Sequence, residues 1–154
     1  MLSRPDLAAW IRFLRAHAAV TRELSARLEG QHGLTLSDYD VLVQLYYAPG
    51  HRLRRIDIAR LVLLSPSGIT RLLDGLERAG WVEKVRCESD NRVVYAALTP
   101  KGVQKCENAG ATHAADIEEL FSSRFTDEER NTLAEMLGRL PLAETSEACK
   151  AGDA

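Results

Sequence analysis

Ser67, Thr70, Arg71 and Asp74 recur at helical spacing within the segment 65–80. They fall opposite an apolar face made by Ile69, Leu72, Leu73, Leu76 and Ala79. Short hydroxyls and a guanidinium on an outward helical face can donate to base edges and phosphate oxygens in the major groove of a duplex. Gly68 on the same segment would let a backbone approach closely. A second set follows at Asp90-Asn91-Arg92, where a guanidinium stands just past a polar turn. There Arg92 can reach an adjacent minor groove, with Asp90 two residues earlier to hold it in place.

The elements needed to position these groups are legible around them. Ser65 offers a capping oxygen, Pro66 suits the first helical position, and Gly80 suits a left-handed stop. Arg55 to Val62 reads as a short supporting helix, with Leu63-Leu64 in the turn between the two. Runs 81–87 and 92–98 have strand composition and are separated by Glu88-Ser89-Asp90-Asn91, a hairpin tip. Helix, turn, helix and hairpin over 51–105 spell a winged helix-turn-helix, so the expected fold is mainly α with a small β-hairpin wing.

This stretch resembles the DNA-binding lobe of the multiple-antibiotic-resistance regulator (MarR) family. The resemblance rests on Ser65-Pro66-Ser67-Gly68-Ile69-Thr70-Arg71-Leu72-Leu73-Asp74, the exit Leu76-Glu77-Arg78-Ala79-Gly80-Trp81-Val82, the wing Asp90-Asn91-Arg92, and the closing Leu98-Thr99-Pro100-Lys101-Gly102. It extends over roughly residues 5–140. It implies a homodimeric transcriptional regulator, by family default a repressor, that binds double-stranded DNA and responds to a small aromatic anion held between the dimerisation helices and the DNA lobe.

Composition agrees. The chain has 154 residues, 45% hydrophobic and 27% charged, which suits a single domain over 1–140. Arg4, Arg12 and Arg15 interrupt the N-terminal apolar residues, so neither a signal peptide nor a membrane span is expected, and the expected location is cytoplasmic. The net charge of −2 is unevenly spread: residues 51–105 carry eleven Lys/Arg against six Asp/Glu, a local excess of +5. Arg52, Arg54, Arg55, Arg60 and Arg86 in this basic region would add sequence-independent attraction to phosphate.

Flanking segments read as helices. Leu7, Trp10, Ile11, Leu14, Ala18, Leu24 and Leu28 form a mostly helical stripe that Gly30-Gln31-His32-Gly33 breaks, and Ser37 is the expected cap of a second helix ending near Pro49-Gly50. After Thr99-Pro100, the residues Val103, Cys106, Gly110, His113, Ile117 and Leu120 alternate spacings of three and four, a coiled-coil-like seam. Thr126 with Glu129 makes a capping box for a last helix, and Pro141 closes regular structure before a polar tail over 141–154 expected to be disordered. The terminal helices, about 5–30 and 103–140, carry apolar surface suited to a homodimer. A two-fold dimer would present two reading helices to an inverted repeat.

The expected DNA-binding set is therefore Ser65, Ser67, Gly68, Thr70, Arg71, Asp90 and Arg92. Trp10, Arg15 and His17, within two turns of the first helix, supply aromatic and cationic groups for an aromatic anion. No cofactor is expected. The four histidines, His17, His32, His51 and His113, are scattered without zinc-site pairing, and neither a nucleophile elbow nor a phosphate-cradling glycine loop is present, which argues against an enzyme. Two alternatives stay open on residues alone. One is a winged helix that binds only proteins; the other is a redox-sensing regulator using Cys87, Cys106 or Cys149.

Overall fold

A computed structural model describes residues 4–62, 66–87, 90 and 92–140. Its elements run α1 (Arg4–His32), α2 (Leu36–Tyr47), β1 (Arg52–Arg54), α3 (Arg55–Leu61), α4 (Pro66–Arg78), β2 (Val82–Arg86), β3 (Val94–Leu98), α5 (Pro100–Leu120) and α6 (Asp127–Leu137). The expected capping by Ser65, the turn Leu63-Leu64 and the tail 141–154 lie outside the described residues.

The core is built around α2. Val41, Leu42 and Leu45 are fully buried there, packed with Leu28 of α1, Ile58 of α3, Ile69, Leu73 and Leu76 of α4, Val82, Ala96 and Leu98 of the sheet, and Cys106 and Ala109 of α5. The cap of α2 is Thr35, not Ser37. Thr35 Oγ1 accepts from the Asp38 amide at 3.1 Å while Asp38 Oδ2 accepts from the Thr35 amide at 3.0 Å. This reciprocal box satisfies two donors at once, which a lone serine two residues later does not. Helix α1 also runs on through Gly30 to His32 and stops at Gly33, whose φ of +63° suits glycine.

Around the wing, β3 pairs antiparallel with β2 from Val82↔Leu98 to Arg86↔Val94. It also pairs with β1, Arg52↔Ala97 to Arg54↔Tyr95, giving a three-stranded sheet in the order β1-β3-β2. The third strand was not foreseen: Arg52-Leu53-Arg54 is too short to show a period, and its partner lies more than forty residues further along the chain.

The exit of α4 is a Schellman turn: the Trp81 amide donates to Leu76 O at 3.0 Å, the Gly80 amide to Glu77 O at 2.9 Å, and Gly80 takes φ +75°. The start of α5 closes onto it. Thr99 Oγ1 donates to Gly80 O at 2.7 Å, Lys101 Nζ to Ala79 O at 3.0 Å, and Lys105 Nζ lies 4.8 Å from the centre of the Trp81 ring. Gly102 is obligatory here, because a Cβ on it would stand 1.9 Å from Trp81 O.

The first half of the expected seam on α5 is not an intermolecular one. Cys106, Ala109 and His113 are buried against the chain's own α2, with the Tyr39 and His113 rings edge to face at 4.9 Å. Arg27 then ties α1 to the end of α5, reaching Asp116 and Glu119 at 2.9 Å each. Trp10, Ile11, Phe13 and Leu14 of α1 stay exposed, and no described residue of α6 is buried. No described helix is long and apolar enough to cross a membrane.

Candidate nucleic-acid interface

Helix α4 is the most strongly two-faced element. Ile69, Leu73 and Leu76 are at most 2% exposed, whereas Ser67, Arg71, Asp74 and Arg78 are exposed on the outer side. At about 100° per residue these four lie within roughly 60° of one another. Thr70 and Glu77 sit on the flank of that face, turned toward the body of the lobe. Arg55 Nη1 of α3 donates to Thr70 Oγ1 at 3.4 Å, and Lys84 of β2 pairs with Glu77 at 3.0 Å, which raises the lysine pKa. The helix is thus braced on one side by α3 and β2, leaving Ser67 and Arg71 to face outward.

At the wing, Asp90 Oδ1 accepts from the backbone amide of Arg92 at 2.9 Å, and the Val93 amide donates to Asp90 O at 3.0 Å. The sequence predicts that the carboxylate holds the guanidinium; it holds the Arg92 backbone amide instead. That is an Asx-type turn beside the exposed Arg92; Glu88, Ser89 and Asn91 of the expected tip lie outside the described residues. Ser65 lies outside the described residues. Ser67, Gly68, Thr70 and Arg71 share one helix, and Asp90 and Arg92 share the wing beside it.

Two arginines of the basic run are committed to the scaffold. Arg54 forks onto Asp57 at 2.7 and 3.1 Å, an ion pair that raises its pKa, and Arg52 lies over the Tyr95 ring at 5.3 Å. Neither contact was visible in the sequence, because the first needs the turn into α3 and the second the unforeseen strand β1.

The expected effector residues divide. Trp10 and His17 flank Phe13 on one exposed side of α1, at ring-centre distances of 6.2 and 6.3 Å. Arg15 is about 140° around the helix from Trp10, so the three do not converge within one chain. A separate cleft of about 320 Å³ opens between α2 and α5, lined by Leu36, Ser37, Tyr39, Asp40, Val43 and His113. Sequence reasoning missed it, since it joins residues from helices more than sixty positions apart.

Comparison with known proteins decides what this architecture belongs to. The MarR family model matches residues 34–94. The HTH-type transcriptional regulator YkoM of Bacillus subtilis is 35% identical over 117 residues, covering 76% of this chain and 74% of that protein. The chain belongs to the MarR family. The transcriptional regulator MhqR of the same bacterium is 28% identical across 92% of this chain and 94% of its own length. Sco3205, a MarR family regulator from Streptomyces coelicolor whose structure was solved in complex with DNA, superposes with a TM-score of 0.84 at 25% identity, covering 90% of this chain and 86% of that one. The protein is therefore a MarR family transcriptional regulator with a DNA-binding winged helix, not an enzyme.

Proposed function

We propose that the protein is a homodimeric repressor that binds an inverted-repeat operator, each copy placing α4 in a major groove and its wing beside the adjacent minor groove. The observation that carries this reading is the outer face of α4, where Ser67 and Arg71 stand exposed on a helix whose other face is locked into the core. Ser67, Thr70 and Arg71 contact bases or phosphates, Gly68 admits the backbone, Asp90 shapes the wing and Arg92 enters the minor groove. Dimerisation is supported by the uncovered apolar residues of α1 and by Met136 and Leu140 near the C-terminal end, 48% and 45% exposed. The fold unit is residues 1–140.

The test is selection of bound sequences from random duplexes at moderate salt. Enrichment of an inverted repeat supports the reading. No enrichment, with no salt-dependent binding to duplex, would leave a winged helix that binds only proteins.

Release by a small aromatic anion is the corresponding reading for regulation. The exposed Trp10, Phe13 and His17 surface of α1 supports it, with Arg15 contributing only where a second copy meets that helix. Titrating aromatic carboxylates against the protein bound to its operator tests this, and operator affinity that does not move would refute it.

A further inference from the structure

Asp74 stands where a repulsive charge is hardest to explain. It is on the outer face of α4, one turn from Arg71, and its side chain is 50% exposed. A carboxylate there is pushed away by every phosphate the helix approaches, so it weakens binding to DNA of arbitrary sequence. Among the described residues its ion pairing is loose and shared. Lys84 Nζ lies 3.7 Å from Asp74 but 3.0 Å from Glu77, so the lysine belongs chiefly to Glu77. Arg78 Nε donates to the Asp74 carbonyl at 3.2 Å, a backbone contact. With Arg71, Glu77 and Arg78, the residue lines an open concavity of about 530 Å³ along the outer side of the helix.

Resting on the DNA-binding reading above, we propose that Asp74 is a specificity-determining residue that accepts a hydrogen bond from the exocyclic amino group of a cytosine in each half-site. Cytosine offers an amino donor to the major groove with no acceptor of its own beside it, whereas guanine and thymine present oxygen acceptors that a carboxylate repels. Adenine pairs its amino donor with the N7 acceptor, which suits an amide better than a carboxylate. The residue then weakens binding to most sequences and is compensated only where the amino group stands opposite it, which widens the gap between operator and other DNA.

The experiment is selection from random duplexes with the full-length wild type, Asp74→Asn, Asp74→Ala and Lys84→Met, each first shown by its circular dichroism melt to be folded. The wild type is expected to require a cytosine at one position of each half-site. In Asp74→Ala that preference should fall on the order of tenfold while the other positions keep theirs. Affinity for unrelated duplex should rise at the same time. Asp74→Asn should move the preference toward adenine, and Lys84→Met should leave the selected sequence as in the wild type. The proposal is overturned if Asp74→Ala selects the same operator base for base, or if Lys84→Met reproduces its change, since either result makes Asp74 a scaffold residue. If the wild type enriches no sequence, the DNA-binding reading falls and takes the proposal with it.

Discussion

Arg71 and Gly102 show two ways in which one side chain matters here. Arg71 is exposed on a helix whose other face is locked into the core, and under the proposed reading that places its guanidinium toward DNA. Replacing it by alanine should weaken operator binding by about 10- to 100-fold, read by fluorescence anisotropy, with the melting temperature unchanged. Gly102 matters by having no side chain. The start of α5 approaches Trp81 O so closely that Gly102→Ala must push the helix off the α4 exit, and we expect a loss of about 1 to 3 kcal/mol in denaturant unfolding. Arg71 was legible in the sequence from its place on a polar face. Gly102 was legible only as part of a motif, because the carbonyl it avoids comes from a different segment.

The cysteines separate at the same scale. Burial pushes the Cys106 thiol up to about 11, so at neutral pH it is a protonated core group. It should resist thiol reagents in the native protein and react only on unfolding, as a timed reaction with a chromogenic disulfide would show. Cys106 thus does not suit a redox trigger.

At the level of elements, local signals located the helices well. The exits of α4 at Gly80 and the opening of α5 at Thr99 follow from backbone requirements that only a few residue types satisfy. Thr126 with Glu129 caps α6 as its spacing implies. Where two caps were available in sequence, at Thr35 and Ser37, the choice fell to the residue whose partner three places on could reciprocate. Thr35→Ala should cost about 1 kcal/mol of stability, measurable as a lowered midpoint in urea.

The packing of α5 on α2 carries a pH dependence. His113 is 9% exposed, and burial holds its pKa below the ordinary 6.5, with Asp116 offsetting part of the shift. The unfolded chain therefore binds this proton at a higher pH than the folded one does. Stability should be unaffected above about pH 6.5 and fall as pH drops below it, since protonation then favours unfolding. Melting curves between neutral and mildly acidic pH should show this slope, and His113→Gln should flatten it.

Considered as a whole, the molecule is unevenly covered. Val41, Leu42 and Leu45 of α2 are fully buried, yet Trp10, Ile11, Phe13 and Leu14 are all exposed along one stretch of α1. Such an apolar surface suits a second copy. Sedimentation of the wild type at micromolar concentration should give a dimer, and Leu14→Glu should shift it toward monomer; a monomeric wild type would sink the dimer reading.

The sequence by itself determined what depends on neighbours a few residues away: the helices, the stop at Gly80, the wing hairpin and the polar face of α4. Those follow from backbone geometry and side-chain periodicity, both of which are local. Only the tertiary structure decided which apolar stripes are consumed inside the chain and which are left over. Cys106 and His113 share a helical stripe with Ile117 and Leu120, yet the first two are spent on α2 while Trp10, Ile11 and Leu14 of the α1 stripe stay exposed. A stripe records that burial is favourable and does not name the partner, because the hydrophobic effect is not directional. The same holds for charge, since Arg52, Arg54 and Lys84 are alike in sequence and are set to their separate tasks by what the folded chain brings to 5.3, 2.7 and 3.0 Å of them respectively.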